Sequence, residues 1–554
     1  MENLCILLTQ SGKHYNFSFI VGSYLINTSW ITNQLYFLFL YCIRQTKANQ
    51  GDIVLTLDAG DWYSGSLFDN LGAEEKTISV PQLEFFHAAG YDGIILGNHD
   101  FDRYESALLI MLEKARQMNL GINVIVSNLL PISKESKFQQ FYDTSSSVQF
   151  MPYLIKETRQ GRIGVLGYMT PDALFVSNDY RSELQFIGYT FEEGNQYDKL
   201  LQLAERQSTM LKNDLKCDVV VAVIHGGHLD KEDVGFLNLP NIDIVLGGHT
   251  HESYFYSTED SSLTSQCGNS GTQLTALSVA VDKEKKLHFK GVEEEYSSLV
   301  TRDYPQCILV QGSLKSDDEF DKKVDGWKRE MKDLLGLDQD RIVFKGNLTT
   351  LFQRSSTQDE NARAFAHMLV DQFNIWEQNM KPDSTPVTVS FWNKDFFGND
   401  QLSHDLWDVT LTFDDAYSLI FLPATKNLYS FYLRKEDIYY ILQGMFFLNK
   451  MVSPLLTVSP GGILYDETTF FEAPLITNIR TINDVIYKEW PSLVRVLVNS
   501  VSAPYFWKLN AWSYGMVDIS PRDKRGNKIT MDKGVESDSP KELDLFLYYL
   551  KSLN

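Results

Sequence analysis

Four short apolar runs in the first half of the chain each end in residues able to bind a cation or move a proton. Ile53–Leu57 leads into Asp58-Ala-Gly-Asp61, and Gly93–Leu96 leads into Gly97-Asn98-His99-Asp100-Phe101-Asp102. Asp218–Ile224 leads into His225-Gly-Gly-His228, and Ile242–Leu246 leads into Gly247-Gly248-His249-Thr250-His251. Runs of this length and composition suit buried strands. In an open α/β sheet, ligands gather outside the carboxyl ends of strands, so these four loops are expected to converge. Asp, Asn and imidazole are hard-to-borderline donors suited to Zn²⁺, Mn²⁺ or Fe²⁺. One carboxylate between two such ions can bridge them, and a pair of ions can clamp a phosphoryl oxygen during an in-line displacement. Glycines beside the donors let the backbone come close to metal and substrate. A lone strand-end histidine is ordinarily a satisfied surface or core residue. Four ordered clusters that use four of the ten histidines are not accounted for in that way. His87, His228, His288, His367 and His404 read as bystanders.

The elements that must position these residues belong to a large chain. At 554 residues it exceeds one compact core, and at least two domains are expected. A net charge of −22 argues against a nucleic-acid partner, whose phosphate backbone would be repelled. A small phosphorylated substrate stays compatible with that charge, because bound metal ions invert the local field. Between the halves, Phe320, Val324, Trp327, Met331 and Leu334 recur at spacings of four and three in a charged background, which reads as an amphipathic connector helix within residues 312–340. Asp317, Asp318 and Glu319 stand at its start, where the helix dipole favours them. Further helices are expected from Arg354 to Val370 and from Lys541 to Leu553, with a strand at Val387–Phe391.

The ordered motifs Gly60-Asp-x-x-x-Gly-Ser66, Gly97-Asn-His-Asp-Phe-Asp102, Val223-Ile-His-x-Gly227 and Gly247-Gly-His-Thr-His251 resemble those of calcineurin-like metallophosphoesterases. Ala89-Gly-Tyr-Asp-Gly93 and Gly161–Pro171 are similar to 5′-nucleotidases in particular. The resemblance covers residues 43–300 strongly and the remainder weakly. It implies an α/β fold: a calcineurin-like β-sandwich flanked by helices over residues 43–311, then a smaller α/β 5′-nucleotidase-type substrate domain over 341–554. It also implies two divalent metal ions (Zn, Mn or Fe) and hydrolysis of a phosphomonoester, a nucleotide or related small molecule, by metal-bound hydroxide. By position, Asp61 would bridge the ions, Asn98, His225 and His249 would complete the second site, and His251 would bind the first. His99 would stabilise the transition state or protonate the leaving group, oriented by Asp102, while Asp100 would be a structural hydrogen-bonding residue. In the second domain Arg354 would meet the phosphate, and Phe506, with Tyr505 and Trp507, would stack on a base. Such proteins are commonly extracellular or in the secretory route, and the sequons at Asn16, Asn27 and Asn347 agree.

The departures from the family pattern matter equally. These families open with an Asp-x-His motif after the first strand, and both side chains bind the first metal. Here no aspartate precedes Asp52. One alignment makes Cys5–Leu8 the first strand and His14 a surviving histidine. The second site then keeps Asp61, Asn98, His225 and His249, whereas the first is left with Asp61, His251 and either His14 or water. The alternative to an enzyme is therefore a catalytically impaired paralogue that acts as a binding or structural protein. Residues 1–42 are atypical, since Glu2 is their only acidic residue and the stretch between Lys13 and Arg44 holds no Asp, Glu, Lys or Arg. Their apolar runs Phe17–Leu25 and Leu35–Ile43 admit three readings: a membrane anchor, buried strand and helix, or a wrongly predicted gene start. In the second half, Phe391–Asn399 replaces the family's Asn-Gly-Gly-x-x-Arg segment and Pro423-Ala424 its Pro-Phe, which bears on nucleotide specificity.

Overall fold

The computed structural model describes residues 15–22, 53–63, 66–158, 161–176, 183–190, 194–226, 234–250, 253–257, 262–267, 273–281, 287–289, 307–309, 318–349, 351–352, 358–393, 409–420, 427–451, 458–470, 473–499, 502–503, 506, 519–530, 533–534 and 539–553. The chain divides into two compact units, Met1–Leu337 and Asp338–Asn554.

The first unit is built on two sheets. The principal strands of the first are β1 (Tyr15–Gly22), β2 (Ile53–Asp58), β3 (Gly93–Ile94), β4 (Ile122–Ile125) and β5 (Val148–Met151). The second contains β6 (Leu154–Glu157), β7 (Arg162–Met169), β8 (Val219–His225), β9 (Ile244–Gly248), β10 (Ser253–Ser257) and β11 (Leu263–Cys267). Three later strands, β12 (Gln273–Val281), β13 (Leu287–Phe289) and β14 (Cys307–Leu309), return to the first sheet. Its order is β13-β12-β1-β2-β3-β4-β5, with β14 on β12, and the second runs β10-β11-β9-β8-β7-β6. Strands β1 to β5 are mutually parallel, as are β7, β8, β9 and β11. Every carboxyl end within each parallel set therefore lies on one edge of its sheet.

Strand β8 shows why the apolar runs are continuous rather than alternating. Val219, Val221 and Val223 enter a core shared with Leu55 and Leu57 of β2, Ile125 of β4 and Ile244 and Leu246 of β9. Val220, Ala222 and Ile224 face the opposite way, onto Leu200 and Ala204 of helix α1 (Tyr197–Thr209). A parallel strand covered on both faces has no polar side to show. Each such buried aliphatic side chain contributes about 1.5–3 kcal/mol relative to an exposed one.

The run Phe17–Leu25 supplies β1, which pairs parallel with β2 from Phe17↔Ile53 to Gly22↔Asp58 and antiparallel with β12 from Tyr15↔Val281. Tyr15–Gly22 is thus a sheet strand with both edges occupied, and Cys5–Leu8 lies outside the described residues. His14 precedes the amino end of β1, and the carboxyl end, which lies level with the end of β2, is Gly22. Residues 1–14 and 23–52, including Leu35–Ile43, lie outside the described residues. Among the described residues no helix is long and apolar enough to cross a membrane.

The connector forms helix α2 (Asp318–Glu330), extended by a turn over Met331–Leu335. Phe320, Val324, Trp327 and Met331 are buried, whereas Leu334 is exposed. The helix packs on the first unit: the Trp327 indole N–H donates to Glu84 Oε1 at 3.1 Å, and Lys323 pairs with Glu84 Oε2 at 3.1 Å. Phe320 meets Phe85 edge-on, with ring centres 6.0 Å apart.

The second unit carries helix α3 (Gln358–Met380), strand β15 (Val389–Asn393), β16 (Tyr429–Arg434), helix α4 (Lys435–Met451), β17 (Val458–Gly461), β18 (Leu493–Val498) and helix α5 (Glu542–Ser552). Its main sheet has the order β16-β18-β15-β17, with β15 and β18 parallel. Arg495 is buried against Glu377, with Nη2 donating to Oε1 at 2.8 Å, and it also donates to Ser430 Oγ and the Thr385 carbonyl, each at 2.7 Å. A buried charge pair persists when its remaining hydrogen-bonding capacity is satisfied in this way.

Candidate metal centre

The loops after β2, β3, β8 and β9 meet at the carboxyl edge of the two sheets. Asp61, His225 and His249 bring ligand atoms within 4.8 Å of one another, the one group of its kind among the described residues. Asn98 joins them: its Oδ1 lies 2.9 Å from His225 Nε2 and 2.9 Å from His249 Nδ1. His225 is 1% exposed and Asp61 3%, so water does not compete freely for these atoms.

His225 carries the decisive detail. Its Nδ1 donates to the Ala59 backbone carbonyl at 2.7 Å, since a carbonyl can only accept. That contact assigns the ring proton to Nδ1 and turns the lone pair of Nε2 inward, the orientation that a metal-bound imidazole takes from its outer partner. Nε2 then faces Asp61 Oδ2 at 3.0 Å and Asn98 Oδ1 at 2.9 Å. Nε2 and these two oxygens can share one buried place only with a cation between them, a proton on Nε2 or a metal ion. The residues present therefore fit a divalent ion.

Backbone strain marks the same residues. Asp61 has φ 62° and His249 φ 81°, both in the left-handed region that side-chain-bearing residues seldom occupy. Such positions cost about 1–3 kcal/mol each and persist where the surroundings impose them. The surroundings of Asp61 are explicit. Asp100 accepts from Asp61 N at 3.2 Å, Gly97 N at 2.7 Å and Tyr63 N at 2.8 Å, tying the loops after β2 and β3 together. A Cβ at Gly97 would collide with Asp61 Oδ1, and one at Gly60 (φ 91°) would come within 2.9 Å of His225 Nδ1. These two glycines are demanded by close approach.

His99 stands beside this group. Its backbone N–H donates to Asp61 Oδ1 at 2.8 Å, and its ring Nδ1 lies 2.8 Å from Asp102 Oδ2. Burial opposes a charge on the His99 ring, but the Asp102 and Asp61 carboxylates outweigh it and push the pKa up to about 9. Burial also opposes ionisation of Asp61, yet the nearby His225 and His99 hold its carboxyl well below the usual carboxylate range.

The structure thus brings together Asp61, Asn98, His99, Asp102, His225 and His249. His251 and Arg354 lie outside the described residues, as do Tyr505 and Trp507. Phe506 is a correction: its ring is 5% exposed and packs 5.4 Å from the rings of both Phe391 and Phe431 in the core of the second unit. Among the described residues it packs within that core. What sequence reasoning missed is the Ala59 carbonyl, since a backbone acceptor leaves no mark on residue type.

Comparison with known proteins agrees with this geometry. The family model described as calcineurin-like phosphoesterase matches residues 32–253. A snake venom 5′-nucleotidase from Gloydius brevicauda is 25% identical over 227 residues, 41% of this chain and 33% of the relative. A snake venom 5′-nucleotidase from Naja atra is 23% identical over 316 residues, 56% of this chain and 54% of the relative. The chain thus aligns with between a third and about half of the length of these relatives. In fold, the crystal structure of a 5′-nucleotidase precursor from Thermus thermophilus matches with a TM-score of 0.66 and 16% identity, over 97% of each chain. The matched model and the order of strand-end motifs make residues 32–253 similar to calcineurin-like phosphoesterases, and the likeness to the Thermus structure is one of two-domain fold.

Proposed function

We propose that this chain is a metal-dependent phosphomonoesterase acting on nucleotides or related small phosphate esters, with its chemistry at the carboxyl edge of the first unit. The observation that carries the reading is the buried meeting of His225 Nε2, Asp61 Oδ2 and Asn98 Oδ1, which calls for a cation. Asp61, Asn98, His225 and His249 would hold it. A divalent ion there would supply Lewis acidity, drawing charge from a phosphoryl oxygen and favouring deprotonation of the attacking water.

The chain's own residues supply the rest. Asp61 stays ionised and, through Oδ1, fixes the His99 backbone. Asp102 Oδ2 holds the His99 ring at Nδ1, which makes Nε2 the ring's other proton-bearing position. The Asp102 carboxylate at Nδ1 favours the protonated ring, which can donate to the leaving alkoxide or to a phosphoryl oxygen. The names of the relatives favour a 5′-nucleotide as substrate, and the venom origin of two of them favours an extracellular or secretory-route location. A second reading, an impaired paralogue that binds without turnover, draws support from the end of β1, where Gly22-Ser-Tyr-Leu25 stands in place of Asp-x-His.

The test is hydrolysis of 5′-AMP and p-nitrophenyl phosphate by the purified chain with Mn²⁺ or Zn²⁺. Turnover abolished by chelator and by the double variant Asp61→Asn, His225→Ala is the expected result. Turnover that survives both would place the chemistry elsewhere, and its absence from a folded, metal-loaded chain would favour the impaired reading.

A further inference from the structure

We infer that this chain holds one divalent ion and not the pair its family position implies. The inference rests on the metal reading of the site above and concerns how many ions the strand ends can bind. Strand β1 lies between β12 and β2, parallel to β2, with Gly22 level with Asp58. The residues that follow Gly22 therefore leave the sheet at the same edge as Asp58-Ala-Gly-Asp61. This is where a first-strand donor pair would have to stand. In sequence Gly22 is followed by Ser23-Tyr24-Leu25-Ile26, and from Ser23 to Gly51 the chain contains no Asp, Glu or His.

The only histidine before β1, His14, joins the strand at its opposite end. Eight residues of strand at about 3.3 Å each separate that end from the metal edge by more than 20 Å. The second site is unaffected, because Asp61, Asn98, His225 and His249 come from β2, β3, β8 and β9 and already converge. Among the described residues a first site would find only a share of Asp61, to which the sequence adds His251. Two protein donors fall short of the three or four that hold such ions in proteins. One oxygen of the shared carboxylate, Oδ1, also already accepts the His99 backbone N–H.

The experiment counts ions in the full chain. Metal-free protein, shown to be folded by circular dichroism, is titrated with Mn²⁺, freed of excess by gel filtration, and assayed for bound metal and for its electron paramagnetic resonance spectrum. One equivalent with the six-line spectrum of an isolated Mn²⁺ is expected. His249→Ala should lower the count well below one, while His251→Ala should leave it at one. Two equivalents with an exchange-coupled spectrum, or loss of an ion on His251→Ala, would overturn the inference while leaving the metal reading intact. No bound ion in the folded wild-type chain would overturn both.

Discussion

Parallel strands end on a common edge in both units, yet the two edges are used differently. In the first unit the residues beyond β2, β3, β8 and β9 turn their side chains toward one another, and two of them, Asp61 and His249, accept strained backbone conformations to do so. In the second, the chain leaving β18 turns back into the fold. The Ser502 N–H donates to Asn499 Oδ1 at 2.6 Å, and Phe506 inserts between Phe391 and Phe431. The difference teaches that a strand end becomes a site where its metal-binding groups converge on one another. Where the same groups close a turn, and the next aromatic ring completes the core, the edge is structural.

Substitutions can break or sharpen this contrast. The largest expected effect on chemistry is at His99. His99→Asn should lower kcat by about 10²–10⁴-fold, the usual worth of a positioned acid, and leave the bound-metal count unchanged. A loss of metal instead would make His99 part of the ligand set. In the second unit the opposite kind of effect is expected. Phe506→Ala should cost about 3–5 kcal/mol of stability in denaturant unfolding, while KM for 5′-AMP in protein that remains folded stays as in wild type. A raised KM at unchanged stability would restore Phe506 as a substrate contact.

Next in size is the hydrogen-bonded brace of the metal edge. Asp100→Ala removes the acceptor for three backbone N–H groups, including that of Asp61, and should weaken Mn²⁺ binding by about 10–100-fold in calorimetric titration. The smallest effect is expected at His367, whose Nδ1 accepts from Gly462 N at 2.8 Å. Burial, aided by Arg363, lowers its pKa to about 4. Because the folded value lies below the unfolded value of about 6.5, the unfolded chain takes up the proton first. Stability from this group is therefore complete above pH 6.5 and declines as the pH falls toward 4. Thermal melts of wild type and His367→Gln should converge across that interval, and parallel curves would remove His367 as the cause.

Much of the metal edge was legible in the sequence for a physical reason. A strand buried on both faces must be apolar along its whole length, so Val219–Ile224 and Ile244–Leu246 stand out, and the polar residues that follow them are conspicuous. The amphipathic spacing of Phe320, Val324, Trp327 and Met331 was readable likewise, although that they pack around Glu84 and Phe85 was not. Strand β1 was hidden because Tyr15–Gly22 is one apolar stretch among others, and only its pairing with β2 and β12 reveals its place. The Ala59 carbonyl and the inward turn of Phe506 were hidden because each depends on tertiary geometry. Sequence spacing carries no trace of either.

The most direct test of the metal edge is anomalous X-ray diffraction from crystals of the chain grown with Mn²⁺. A peak among Asp61, Asn98, His225 and His249, at about 2.0–2.2 Å from the His225 Nε2 and Asp61 oxygen, is the predicted result. Density showing these four side chains closed on one another, with no anomalous peak between them at saturating metal, would contradict it.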